Sequence, residues 1–391
     1  MSKELILPKR LLMGPGPSDV HPNVLKSMAT PLLGHLDPEF LNIMNETMDL
    51  IRYVFETDNK LTVAMSGTGS SGMETVFVNL VEPGDKVIIG VNGLFGQRMV
   101  DVAGRAGAEV VQVEAEWGTI IDPKMIEAAL KNNGPVKAIA IVHAETSTGA
   151  QQPLKEISRL AKEYDALFFV DAVTSLGGIS VGVDENEIDA VYSGTQKCIS
   201  APPGLSPVSF SNKAVEALNA RKTKVQSWYL DLSMIQAYWG KERFYHHTAP
   251  ISMIYSLHEA LRLIKEEGLG TVFERHEQNG RALQAGLEAM GLELAAQEGY
   301  RLPMLTSVKI PDNVEDANVR KMLLQRYGIE IGGGLGPLKG KIWRVGLMGY
   351  SSQRINVMQF LSALETILTE LNADINTGKA VRTAEDFYLK N

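Results

Sequence analysis

The sequence predicts an α/β protein: a mostly parallel sheet with helices on both faces, then a smaller α+β region. Two observations carry this. Six short apolar runs recur between residues 61 and 194, most of them spaced widely enough for a helix between neighbours. Beyond about residue 251 that alternation gives way to amphipathic helices with isolated strands. Repeated strand–helix alternation makes successive strands parallel, because a parallel connection needs a crossover that a helix supplies.

In chain order, LTVAMS (61–66), KVIIGV (86–91), EVVQVEA (109–115), VKAIAIVH (136–143), ALFFVDA (166–172) and DAVYSG (189–194) read as buried strands. Between the fourth and fifth, LKEISRLAKEY repeats Leu154, Ile157, Leu160, Ala161 and Tyr164 at helical spacing. IYSLHEALRLIKEEG is an amphipathic helix stopped by Gly268. The strands TSVKI and KIWRVGLM follow, then a long helix with Val357, Phe360, Leu361, Leu364 and Leu368 on one stripe. The expected organisation is an arm over 1–20, a large domain over 21–260 and a small domain over 261–391, with the linker near 250–270.

Charge narrows the partners. Against 46 acidic residues stand 38 basic ones, a net −8, which argues against nucleic acid or an anionic membrane surface. The single cysteine, Cys198, excludes an internal disulfide framework or a cysteine-built metal site. It reads as a small packing residue. No stretch approaches the ~20 apolar residues of a membrane span. The amino-terminal MSKELILPKRLLMGPGPSD has no signal-peptide apolar run, and a cytoplasmic location is expected.

Three short features carry chemistry. SGTGSSG (66–72) lies between a strand and the helical METVFVNLV; small residues let backbone N–H groups approach an anion at the helix start. Gly67, Gly69 and Gly72 also fit the dinucleotide pattern G-x-G-x-x-G, but the next strand ends in Asn92 and Gly93 without the acid a ribose requires. A tight turn with no ligand is the plainest alternative. Asp171 closes ALFFVD at the edge where such sheets bind ligands; alone it would be a cap or turn residue. Lys197 lies just past a later strand at the same edge; alone it would be a surface lysine. Together the three match the needs of pyridoxal 5'-phosphate: a helix end for the phosphate, a carboxylate for the pyridine nitrogen and an amine for the aldehyde. Displaced by substrate, that amine becomes the base that moves the α-proton.

The chain resembles the class V aminotransferases, in particular those of the alanine–glyoxylate and serine–pyruvate or serine–glyoxylate type. The likeness runs from LLMGPGPSDVHPNVL through VNGLFGQR, HAETSTG, VDAVTSLGG, YSGTQKCISAPPG and YHHTAP to GGLGPLKGKIWRVGLMG. It implies fold type I of the pyridoxal-phosphate transferases, with a mostly parallel seven-stranded sheet and a smaller α+β carboxyl-terminal domain. It makes Lys197 the covalent anchor and Asp171 the partner of the ring nitrogen. Thr68, Gly69, Ser70 and Gln196 take cofactor-contact positions. Phe95 and Val173 take the two ring faces, and Thr146 stands beside the cofactor.

The same likeness gives Arg344 the substrate α-carboxylate, with Gly16 of the GPGP turn lining the substrate entrance. Tyr245 and Thr248 are implied to reach the phosphate of a second subunit, hence a homodimer with shared sites. His246 and His247, read as neighbours on a strand, would point to opposite faces, and no third ligand stands near; no metal is expected. The expected activity is ping-pong transfer from L-alanine or L-serine to glyoxylate or pyruvate. Alternatives are ureidoglycine, hydroxykynurenine or aminoethylphosphonate chemistry on the same cofactor, or a nicotinamide-dependent oxidoreductase using the 67–72 loop.

Overall fold

The computed structural model describes residues 4–390. All six expected strands form: β1 (Leu61–Ser66), β2 (Lys86–Val91), β3 (Glu109–Glu114), β4 (Ala138–Val142), β5 (Leu167–Asp171) and β6 (Ala190–Tyr192). A seventh, β7 (Leu205–Phe210), joins them, and the sheet runs β1-β7-β6-β5-β4-β2-β3. β7 is antiparallel to both neighbours and every other pair is parallel. The antiparallel strand restores the direction of β1, so the carboxyl ends of β1, β2, β4, β5 and β6 lie on one edge.

β7 was not legible in the sequence because LSPVSF carries a proline and two serines, which argue against a central strand. The structure accommodates them. Ser206 Oγ donates to Ser193 O at 2.5 Å, and Ser209 Oγ meets Thr62 Oγ at 2.8 Å. Pro207 lacks a ladder donor, yet its carbonyl accepts from Ser193 N at 2.8 Å.

Two cores form. The larger gathers β-strand residues such as Val87, Ile139, Phe169 and Val191 with the helices flanking the sheet, and reaches Val272. The second runs from Ala282 to Ala384 and includes Met13. Its antiparallel sheet places Ile342–Gly346 between Leu305–Lys309 and Gly332–Gly333. The expected stripe of the helix Arg354–Glu370 is buried there, as is one side of a further helix, Ala380–Lys390. No irregular linker separates the cores: Gly268, at φ 86°, divides the helix Ile251–Glu267 from Leu269–Ala289, and the latter touches both. The amino-terminal segment ties in with the second core, Leu11–Leu12 pairing in parallel with Ile329–Glu330. None of the helices is long and apolar enough, among the described residues, to cross a membrane.

Candidate active site

Strand ends and the turns after them bring most of the predicted residues to the carboxyl edge. Thr68–Ser70 follow β1, Phe95 follows β2, Thr146 follows β4, Asp171 ends β5 with Val173 beyond it, and Gln196 and Lys197 follow β6. The helix after β1 starts at Gly69, within the segment read as loop; Thr68 is its N-cap and makes no side-chain capping bond. The first-turn N–H groups of Gly69 and Ser70 therefore have no protein acceptor among the described residues. A β-carbon at Gly69 would sit 3.2 Å from Val173 Cγ2, so glycine lets this helix start approach the β5 turn.

Asp171 is buried. Its Oδ1 accepts from Val173 N at 2.9 Å and its Oδ2 from the Tyr192 hydroxyl at 2.9 Å. Burial pushes its carboxyl up to about 7, the two hydrogen bonds opposing and the nearby Glu145 charge adding to the rise. No cation forms an ion pair with it among the described residues, so a protonated ring nitrogen would supply the missing charge. Lys197 is buried too; burial and the Arg344 cation push its amine down to about 8. Its Nζ donates to the Pro15 carbonyl, and a β-carbon at Gly16 would lie 2.6 Å from that nitrogen. The GPGP segment thus packs directly over Lys197, tethered by Ser18, whose N donates to Gln196 O at 2.9 Å and whose Oγ donates to Lys197 O at 2.7 Å.

Arg344 comes from the second core, yet its side chain returns to this edge. Nη1 donates to Thr146 O at 3.0 Å and Nε to Gly333 O at 2.8 Å. It is buried and forms no ion pair among the described residues; burial pushes its guanidinium down to about 10, with Glu145 opposing. Thr146 is buried and Phe95 partly so, with the Arg98 guanidinium 5.0 Å from the Phe95 ring centroid.

Tyr245 and Thr248 are not gathered with these residues. Tyr245 is 60% exposed and bonds Thr248 Oγ1 at 3.3 Å. His246 and His247 lie in a loop, not on a strand, and their rings meet edge-on with Nδ1 atoms 2.7 Å apart. His247 Nε2 also reaches Ser66 Oγ at 2.7 Å, and no cluster of metal-binding type occurs among the described residues. Cys198 is buried, its thiol pushed up to about 12 by burial and donating to Thr174 O at 3.2 Å, as a packing residue requires.

The donor set suits pyridoxal phosphate: an open helix end, an unpaired buried carboxylate and a buried amine of lowered basicity. A family model described as aminotransferase class-V matches residues 18–353. The chain belongs to the class V aminotransferases. This aminotransferase is 44% identical to the (S)-ureidoglycine–glyoxylate transaminase of Bacillus subtilis (strain 168), over 99% of this chain and 97% of that one. It is 40% identical to the alanine–glyoxylate aminotransferase of Drosophila melanogaster, over 96% and 97%. Among solved structures, ureidoglycine–glyoxylate aminotransferase from Bacillus subtilis superposes with TM-score 0.97 at 45% identity, over 100% of both chains. Alanine–glyoxylate aminotransferase from Nostoc sp. superposes with TM-score 0.93 at 49% identity, over 94% and 97%. The fold is that of these pyridoxal-phosphate aminotransferases, the cofactor is pyridoxal phosphate, and the substrates are amino acids and 2-oxo acids. The nicotinamide alternative falls with this membership.

Sequence reasoning passed over several residues of this aminotransferase's site. Tyr192 donates to Asp171, Ser18 and Ser200 hold the lysine turn, and Glu145 lies fully buried among the others. The signal for Glu145 stood in HAETSTG, an acid three residues past the end of an apolar strand.

Proposed function

We propose that this aminotransferase moves the amino group of L-alanine or L-serine to glyoxylate or pyruvate in a ping-pong sequence. The observation that carries the reading is Arg344. A buried guanidinium bonded, among the described residues, only to two carbonyls keeps N–H donors for a planar anion, and an α-carboxylate matches that fork. Space favours a short donor side chain. Pro15 and Gly16 lie against Lys197, and a β-carbon at Gly332 would meet Pro15 Cδ at 2.5 Å beside Arg344.

Thr68, Gly69, Ser70 and Gln196 bind the cofactor phosphate and its surroundings, Phe95 and Val173 bracket the ring, and Asp171 holds the ring nitrogen protonated. When bound, pyridoxal phosphate supplies an aldehyde for amine exchange and a ring that delocalises the electron pair left at the substrate Cα. Lys197 takes the α-proton on Nζ; an amine lowered to about 8 is close enough to working pH to accept and return it. Thr146 flanks the reacting face, and Gly16 leaves Lys197 room to swing. Tyr245 and Thr248 complete the site of a second copy, a dimer supported by the exposed Leu5, Ile6, Leu7, Trp228 and Phe244. The same reading places the enzyme in the cytoplasm, in keeping with its free thiol.

A second reading, (S)-ureidoglycine as donor, is favoured by the whole-length likeness to the Bacillus subtilis transaminase. Both sets of relatives carry glyoxylate in their names. The deciding experiment adds L-alanine, L-serine or (S)-ureidoglycine to the cofactor-loaded enzyme and follows loss of the cofactor's violet absorbance band and its recovery with glyoxylate. Discharge by alanine or serine supports the proposal; discharge by ureidoglycine alone replaces it. In parallel, Lys197→Ala abolishes transfer, and Arg344→Lys raises KM for the donor by roughly 10–100-fold, because a point charge replaces a bidentate fork.

A further inference from the structure

Glu145 is fully buried, and no lysine, arginine or histidine pairs with it among the described residues. Hydrogen-bond donors surround it instead. Its Oε2 accepts from Phe95 N at 3.0 Å, and Gly96 N also donates to the carboxylate. Oε1 accepts from Ser147 N at 3.0 Å and Ser147 Oγ at 2.6 Å, and Ser147 Oγ in turn accepts from Leu94 N at 2.9 Å. The first three N–H groups of the helix Leu94–Arg105 are thus all satisfied from this one turn. That helix cannot cap itself, since its N-cap is Gly93, where a β-carbon would lie 2.3 Å from Glu145 Cγ.

The turn is rigid on its other side as well. Glu145 O accepts from Gly149 N at 2.8 Å, closing the hairpin Ala144–Glu145/Ala150–Gln151. Between these bonds lies Thr146, whose carbonyl holds Arg344 Nη1. One carboxylate therefore fixes both the helix start that carries Phe95 and the turn that carries an Arg344 partner.

We propose that Glu145 is a positioning residue that sets Phe95 against the cofactor ring and Arg344 against the substrate carboxylate through a single turn. This rests on the reading of Phe95 and Arg344 given above. The site demands a group that only accepts: the donors Phe95 N, Gly96 N, Ser147 N and Ser147 Oγ converge on it. Glutamine has the same shape but turns an NH2 toward one pair of those donors.

The test compares Glu145→Gln and Glu145→Ala with the wild-type chain. In the cofactor-free protein, amide hydrogen exchange at Leu94, Phe95 and Gly96 accelerates at least about 10-fold in Glu145→Gln, with the sheet core unchanged. In the loaded enzyme, the visible circular dichroism of the cofactor changes, its Kd rises by about 10-fold and KM for the donor rises more than kcat falls. If Glu145→Ala does not fold, the Gln variant alone decides. Exchange at 94–96, cofactor dichroism and donor KM all within about twofold of wild type would overturn the proposal. Faster exchange with unchanged dichroism and KM would also overturn it, leaving Glu145 a helix cap without influence on the site. Because exchange is read without cofactor or substrate, a wrong assignment of Arg344 would show as changed exchange and dichroism beside an unchanged KM.

Discussion

The helices Gly69–Leu80 and Leu94–Arg105 both start at the carboxyl edge of the sheet, and each has a glycine where it begins. Both present unpaired N–H groups and the positive end of a helix dipole. At Leu94–Arg105 the protein answers with its own buried carboxylate, so that end is closed and rigid. At Gly69–Leu80 it offers no cap, with Thr68 and Ser70 exposed. The same local electrostatics thus serve as scaffold in one place and as an anion seat in the other. What separates them is whether a distant strand end delivers an acid.

The comparison breaks most visibly if the open end is closed. Thr68→Asp puts a carboxylate where the phosphate belongs; like-charge repulsion of about 2–3 kcal/mol weakens cofactor binding on the order of 100-fold. The same change stabilises the cofactor-free protein, because Asp is a capping residue there. Titration with cofactor and thermal unfolding of the free protein measure the two effects, and a variant binding normally would refute the open-end reading.

Disturbing the closed end costs stability rather than affinity alone. Gly93→Ala drives a methyl against Glu145, and overpacking of this kind destabilises by about 1–3 kcal/mol. The urea midpoint of the cofactor-free protein should fall accordingly with its slope unchanged.

A pH effect, graded over several units, concerns the two acids behind these ends. Asp171 has its folded value raised from 3.8 to about 7, so between those pH values the folded state holds a proton that the unfolded state has lost. Stability of the cofactor-free protein therefore falls as pH rises across that window, by up to about 1.4 kcal/mol per unit from this group. Asp171→Asn removes that contribution, and unfolding curves at pH 5 and 7 in both proteins would show it. A wild-type slope surviving intact in the variant would assign the dependence elsewhere, Glu145 being the next buried acid, itself raised by burial.

Six strands, the stop at Gly268 and the buried stripe of Arg354–Glu370 were readable because apolar periodicity and glycine act locally. Lys197, Asp171 and the 66–72 segment stood out as residue types out of place at strand ends. β7 escaped because its serines and proline find their partners on β1, on Asn59 just before it and in the turn after β6. The loop carrying His246 and His247 escaped because ring-to-ring contact depends on a backbone path no alternation pattern encodes.

The sequence by itself determined the order of strands and helices, the small-residue helix start and the presence of an amine, an acid and a guanidinium suited to this chemistry. Only the tertiary structure decided that Arg344, in a different core, reaches Thr146, and that Glu145 caps the start of a helix lying 50 residues earlier in the chain. Local preference follows from a few neighbouring residues. A buried charge finds its partners across the fold, where the cost of leaving it unsatisfied is greatest.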